Sequence, residues 1–227
     1  ADHVVATHSD AACLFVSLEQ SKEELRIKTL SRLSGVENRD LQRGRMDTKT
    51  FNSAWDKVVD AKAEFAQWAD RFQILEGDRT TTVDRVRLAA LQLRQKTQAA
   101  RLLIVVDYLQ ILPVDGDFGD IRQKVNFVTS ELRRIGRDLD APVLAIASVN
   151  RKSYGQGGKI DAFKESGDIE FSADIAAILV EDSNNPTKGN ANYRGAARNW
   201  KRVHLDVVKN RNGERARIEL DFYPEVS

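Results

Sequence analysis

The chain has 227 residues, enough for a single α/β domain with a three-layer core. Its 35 Lys and Arg balance 34 Asp and Glu, so global charge argues neither for nor against a nucleic-acid partner, and any basic surface has to be local. One cysteine, Cys13, and scattered histidines (His3, His8, His204) leave no disulfide framework and no zinc-ligand spacing; with no apolar run near about 18 residues, no signal peptide and no lipidation motif, the composition reads as a soluble cytoplasmic protein without a membrane partner.

Residues 1–10 read as the tail of a helix that begins upstream. Residues 11–18, AACLFVSL, form a buried strand that ends on Glu19. Ser21 opens a helix, with Glu24 placed to close a capping box, and Ser34-Gly35 stops it. Residues 36–50 are polar and read as a surface connection. Ser53 with Asp56 gives a second capping-box-like start. The apolar stripe Trp55, Val58, Val59, Phe65, Ala66, Ala69 and Phe72 follows at helical spacing, broken once by Lys62. A short strand over 72–75 and a turn at Gly77-Asp78 come next. Thr81 with Asp84 then starts a helix carrying Val83, Val86, Ala90 and Leu93.

Residues 102–106 are five apolar residues without a polar break, rich in β-branched side chains, and they end on Asp107. Such a run suits a parallel strand buried on both faces. After a loop over 113–119, Asp120 begins the most regular helix of the chain. Ile121, Val125, Val128, Leu132, Ile135 and Leu139 repeat along it and read as core. Residues 142–147 form a strand, followed by Ser148-Val-Asn-Arg151. Residues 152–166, with three glycines and three lysines, read as a mobile loop. Residues 175–180 form another strand, and 182–199 a second mobile loop rich in Asn and Gly. Alternating apolar and polar residues over 203–208 and 216–222, with Asn212-Gly213 between them, predict an antiparallel hairpin at the sheet edge. The expected fold is one domain over 1–227, α/β, with helices on both faces of a largely parallel sheet.

In such sheets ligands bind beyond the carboxyl ends of the strands. Glu19, Asp107 and the segment 148–151 all fall there. Two carboxylates on neighbouring strands suit phosphoryl transfer: Asp107 would hold the water shell of Mg²⁺, and Glu19 would orient or deprotonate the attacking water. The plainer account makes Asp107 a solvated strand end and Glu19 an acid that stabilises the following helix dipole. Lys209-Asn-Arg-Asn-Gly213 lies in the predicted hairpin turn. It is either a solvated basic turn or a cation pair inserted into a neighbouring subunit, where an arginine finger accelerates hydrolysis by roughly 10³ to 10⁵.

The ordered set Phe15-Val-Ser-Leu-Glu19 with Ser21-Lys-Glu-Glu-Leu25, Leu103-Ile-Val-Val-Asp-Tyr-Leu-Gln110, Pro142 to Arg151, Lys164-Glu-Ser-Gly-Asp-Ile-Glu170 with Ala173-Asp174, and Lys209 to Gly213 resembles the carboxy-terminal RecA-like motor domain of DnaB-type replicative helicases. The resemblance covers nearly the whole chain and implies a RecA-like three-layer sandwich with a mostly parallel sheet and an antiparallel edge hairpin. It also implies ATP and Mg²⁺ as cofactors and a hexameric ring moving 5′ to 3′ on single-stranded DNA, with primase or a helicase loader as further partners. By resemblance, Glu19 is the catalytic glutamate, Asp107 the Mg²⁺-associated and nucleotide-binding aspartate, and Lys209 and Arg211 the pair that reaches a neighbour's γ-phosphate. Ser148 stands where the family usually has a Gln that senses that phosphate. Arg151, Lys164, Glu165 and Gly167 correspond to the DNA-tracking segment, with Lys164 in place of an Arg.

The sequence holds no G-x-x-x-x-G-K-[ST], the loop whose backbone amides and Lys cradle phosphates. The expectation is that a first strand and this loop precede Ala1. Two alternatives stay open: a non-hydrolysing DnaB-like DNA-binding or ring-capping protein, and a RadA-type recombination ATPase.

Overall fold

In the computed structural model, residues 1–44, 51–116, 118–148, 172–181, 189–193 and 196–227 are described. The elements run α1 (Asp2–Thr7), β1 (Ala11–Ser17), α2 (Lys22–Ser34), α3 (Asn38–Arg43), α4 (Phe51–Ala66), β2 (Phe72–Glu76), α5 (Val83–Thr97), β3 (Arg101–Asp107), α6 (Ile121–Asp138), β4 (Val143–Ala145), β5 (Ile175–Glu181), β6 (Gly189–Tyr193), β7 (Ala196–Asn210) and β8 (Arg217–Phe222). They group into two compact units, one of residues 1–22 and 68–174, the other of residues 23–67 and 175–227.

The first unit is built on a parallel sheet of order β2-β1-β3-β4. Six of the seven residues of β1 are buried, as an unbroken apolar run requires when both sheet faces are covered. Ala12, Leu14 and Val16 share a face with Leu102, Ile104 and Val106, and this face packs against Val86, Ala90 and Leu93 of α5 and Val125, Val128, Leu132 and Ile135 of α6. The α6 stripe is core as expected except for Ile121, which is 59% exposed in the first turn. Asp120 caps that helix by accepting from the Arg122 amide at 3.2 Å. Arginines tie down the rest: Arg71 donates to the carbonyls of His8 (2.7 Å) and Ala11 (3.0 Å), Arg94 donates to that of Leu139 (2.6 Å), and Arg101 pairs with Asp10 beside the start of β1.

Several expectations change. The Thr81 hydroxyl does not cap a helix. It closes a turn on Asp78, whose carboxylate accepts from the Thr80 amide (2.8 Å) and from both threonine hydroxyls, and α5 starts after Thr82. Asp78 is held below the usual carboxylate range by those bonds. Helix α4 begins at Phe51, so Ser53 and Asp56 lie inside it. Its stripe is not core throughout, because Trp55 is 50% and Val59 49% exposed. A short helix, α3, ending on Gly44 in the left-handed region at φ 60°, forms inside what reads as a polar connection.

The second unit carries an antiparallel sheet of order β5-β7-β6, with β8 paired to β7. The strand expected over 175–180 therefore joins the hairpin in a sheet of its own and not the parallel one. Residues 189–193 and 196–199, expected within a mobile loop, pair as strands. The pairing of the hairpin is as predicted, but it lies in this antiparallel sheet and not at the edge of the parallel one. Lys209 is still on β7, opposite Ala176, before the connection begins. Residues 45–50 and 149–171 lie outside the described residues, and with them the loop expected over 152–166.

Across β7 and β8, Arg217 meets Asp206 in register through two bonds, Nε to Oδ1 at 2.6 Å and Nη2 to Oδ2 at 2.8 Å. The hydrogen-bonding guanidinium holds the buried Asp206 carboxyl below its ordinary range. A depressed value stabilises the fold above the unfolded carboxyl's pKa, about 3.9, and that stability is lost as pH falls through the folded value. Asp206→Asn should lower stability by about 1 kcal/mol at neutral pH, a figure discounted because the arginine is largely exposed. The gap between the two proteins in urea midpoints should close below about pH 4. A gap that persists unchanged at acid pH would contradict this assignment.

Candidate active site

The register of the parallel sheet sets the site. Ser17 aligns with Asp107 of β3 and with Glu76 of β2, and Val106 aligns with Ala145 of β4. All four strands thus end along one edge. The ladder runs one residue past β1, where the Leu18 amide donates to the Asp107 carbonyl at 2.8 Å. The buried Ser17 hydroxyl then turns the chain, donating to the Gln20 carbonyl at 2.7 Å and accepting from the Gln20 amide at 3.2 Å. This turn holds Glu19, exposed, one residue from the Asp107 backbone. Gly77 closes the other side: its amide donates to the Ser17 carbonyl at 2.7 Å, and a Cβ there would collide with the Leu18 side chain.

Asp107 is half-buried, and its peptide bond to Tyr108 is cis. A 3-10 turn, Leu109–Ile111, follows, anchored by buried Leu109 and Leu112. The Leu109 amide donates to the Ile146 carbonyl (2.8 Å), and the Ile146 amide to that of Val106 (2.9 Å). Ser148, exposed, is brought to the same edge, where the Gln110 side chain meets its backbone.

One unit therefore assembles Glu19, Asp107 and Ser148. Lys209 and Arg211 belong to the other unit, Lys209 half-buried at the end of β7 and Arg211 exposed after it. In that connection the Asn210 side chain donates to the Glu214 carbonyl (3.0 Å) and accepts from the Asn212 amide (3.3 Å), shaping the backbone around Arg211. Arg151, Lys164, Glu165 and Gly167 lie outside the described residues. Two residues of the edge escape sequence reasoning. Glu76 ends β2 and accepts from the Lys22 amide at the start of α2 at 3.3 Å, which suits a carboxylate at a helix N-terminus. Gln110 carries no charge to mark it.

The donor set that Glu19, Asp107 and Ser148 bring to the edge is hard oxygen: two carboxylates and a hydroxyl. That suits Mg²⁺ held through water and one or two carboxylates, with the remaining ligands supplied by substrate phosphates. Among the described residues no group of three or more His, Cys, Asp or Glu is placed to hold a metal by itself. The phosphate cradle has no counterpart in the sequence.

The family model for the DnaB-like helicase C terminal domain matches residues 1–227. The chain is similar to "Replicative DNA helicase DnaC" of Bacillus subtilis, 27% identical over 225 residues, and to "Replicative DNA helicase DnaB" of Mycobacterium leprae, 28% identical over 213 residues. It covers 97% and 91% of itself in these matches but 46% and 32% of those proteins, so it spans less than half the length of either. Among solved structures, an isolated ATPase domain superposes with a TM-score of 0.82 at 20% identity, covering 96% of this chain and 73% of that one. A DnaB-like replicative helicase described with its primase interactions superposes at 0.80 and 21%, covering 96% and 50%. These superpositions establish a RecA-like fold.

Titrating the 227-residue chain with Mg-ATP should show no binding tighter than about 1 mM, because two carboxylates do not replace the backbone amides that grip phosphates. Calorimetry checks this. A micromolar dissociation constant would mean that some other segment supplies the cradle.

Proposed function

Since the chain belongs to the DnaB-like helicase C terminal domain family, we propose that it is the motor domain of a replicative DNA helicase. In this reading it couples ATP hydrolysis at the subunit interfaces of a hexameric ring to 5′ to 3′ movement on single-stranded DNA. The observation that carries the reading is the register Ser17 to Asp107, with the Leu18 amide on the Asp107 carbonyl, which sets the two carboxylates on one edge beside Ser148.

In this mechanism Asp107 would hold Mg²⁺ through water, and the ion would supply charge neutralisation at the phosphate oxygens. Glu19, exposed at that edge, orients a water and takes its proton as the oxygen attacks the γ-phosphorus; the bond to the bridging oxygen breaks and ADP leaves. Ser148 offers a hydroxyl to the γ-phosphate. Lys209 and Arg211 of a neighbouring copy contribute positive charge where the transferring group needs it most. Hydrolysis would also need a phosphate cradle of the G-x-x-x-x-G-K-[ST] kind, which these 227 residues do not contain. Lys164 and the Gly167 amide grip the DNA backbone, in the segment that also carries Arg151 and Glu165, and such a grip needs little base preference. Primase or a loader would be further partners, in the cytoplasm. A second reading, a non-hydrolysing DNA-binding or ring-capping relative, is separated from the first by the experiment below. The family match speaks against a RadA-type recombination ATPase.

The test uses a polypeptide in which residues 1–227 follow a G-x-x-x-x-G-K-[ST] segment. Arg211→Ala should lower DNA-stimulated turnover about a thousandfold with nucleotide affinity nearly unchanged, since the guanidinium acts at the transition state. Mixing it with Glu19→Gln subunits, which keep Arg211, should restore part of the turnover. Failure to complement, with co-assembly demonstrated, would place Arg211 in cis or outside the reaction. An inactive parent polypeptide would favour the non-hydrolysing reading.

A further inference from the structure

We infer that Gln110 is a positioning residue that fixes Ser148 beside Asp107 by standing in for a missing rung of the β-ladder. Beyond Val106 and Ala145 the backbones of β3 and β4 stop pairing regularly, because the chain turns at Leu109–Ile111. Two backbone bonds still link the segments, Ile146 to Val106 at 2.9 Å and Leu109 to Ile146 at 2.8 Å. The Gln110 side chain then makes the third link: Nε2 donates to the Ser148 carbonyl at 3.0 Å, and Oε1 accepts from the Ser148 amide at 3.3 Å. A primary amide turns one N–H and its C=O to the same side, as an extended residue turns its own N–H and C=O toward a partner strand, so it satisfies both backbone groups of a single residue. The base of the fork is rigid, since Leu109 and Leu112 on either side are buried in the core.

With its amide and carbonyl both held, Ser148 keeps little freedom besides its side-chain torsion. Its hydroxyl is thereby aimed from a backbone locked to the strand that carries Asp107. Gln110 need touch no reactant to matter; it acts through Ser148. No other side-chain type reproduces the fork at this length. Asn is one carbon short, and Glu at neutral pH keeps the acceptor but sets a carboxylate against the Ser148 carbonyl.

The inference rests on the proposed hydrolysis, and the experiment separates the two. In the polypeptide that carries the phosphate-binding segment, Gln110→Ala and Gln110→Glu should lower kcat about tenfold while KM for ATP moves less than about twofold. Ser148→Ala should lose a similar factor, and the Gln110→Ala, Ser148→Ala double variant should be no worse than the poorer single one, because nothing remains to be aimed. In the 227-residue chain itself, Gln110→Ala should speed exchange of the Ser148 amide about tenfold at an unchanged urea midpoint. Multiplying kinetic losses in the double variant, or an unchanged Ser148 exchange rate, would overturn the role of Gln110 alone. A parent polypeptide without hydrolysis overturns the functional reading, and this inference falls with it.

Discussion

The parallel pairing of β1 with β3, seven residues in register from Ala11 and Arg101 to Ser17 and Asp107, is the constraint on which the rest of the site depends. Both strands lie between covered faces, so their interiors admit no polar chemistry without an uncompensated desolvation cost. Polar groups are driven to the strand ends. There the ladder persists for one more bond, Leu18 to Asp107, and fixes the spacing between the turn bearing Glu19 and the end of β3. The core behind this edge, from Leu14 and Ile104 through Leu93 to Val128 and Ile135, keeps the two ends from sliding independently.

Burial also decides which groups stay out of the chemistry. Cys13, inside β1, has its thiol pushed up to about 12 by desolvation, so it is an inert core side chain at neutral pH. Asp10 is held below the ordinary carboxylate range by Arg101, but at the amino end of the sheet, about 20 Å of strand away from Asp107. Among the described residues no helix is long and apolar enough to cross a membrane.

Much of this is legible from the residues. The apolar runs over 11–18 and 102–106 mark β1 and β3 because double burial demands continuity. The stripe from Val125 to Leu139, with Asp120 before it, marks α6 because period and cap agree. The alternation on either side of Asn212-Gly213 marks the hairpin. What escapes depends on tertiary context. Trp55 and Val59 follow helical spacing yet stay half exposed, since periodicity states which residues share a face and not whether anything covers it. Thr81 carries the chemistry of a cap, but Asp78 claims its hydroxyl. The strand at Ile175–Glu181 reads the same in either kind of sheet, so its antiparallel partner β7 is not legible in advance. Along the edge, Glu19 and Asp107 show as charges at the ends of apolar runs, whereas Gln110 and Glu76 bond to backbone groups, which leave no pattern in the sequence.

The central claim is that nucleotide and metal sit on the carboxyl edge of the parallel sheet, and locating the ion tests it most directly. In the polypeptide with its phosphate-binding segment, Mn²⁺ in place of Mg²⁺ broadens the amide signals of nearby residues. The account predicts nucleotide-dependent broadening at Leu18, Glu19, Gln110 and Ser148, with Ala11 and Arg101, at the far end of the same two strands, left sharp. Broadening centred on Ala11 and Arg101, or none at the carboxyl edge with nucleotide bound, would contradict it.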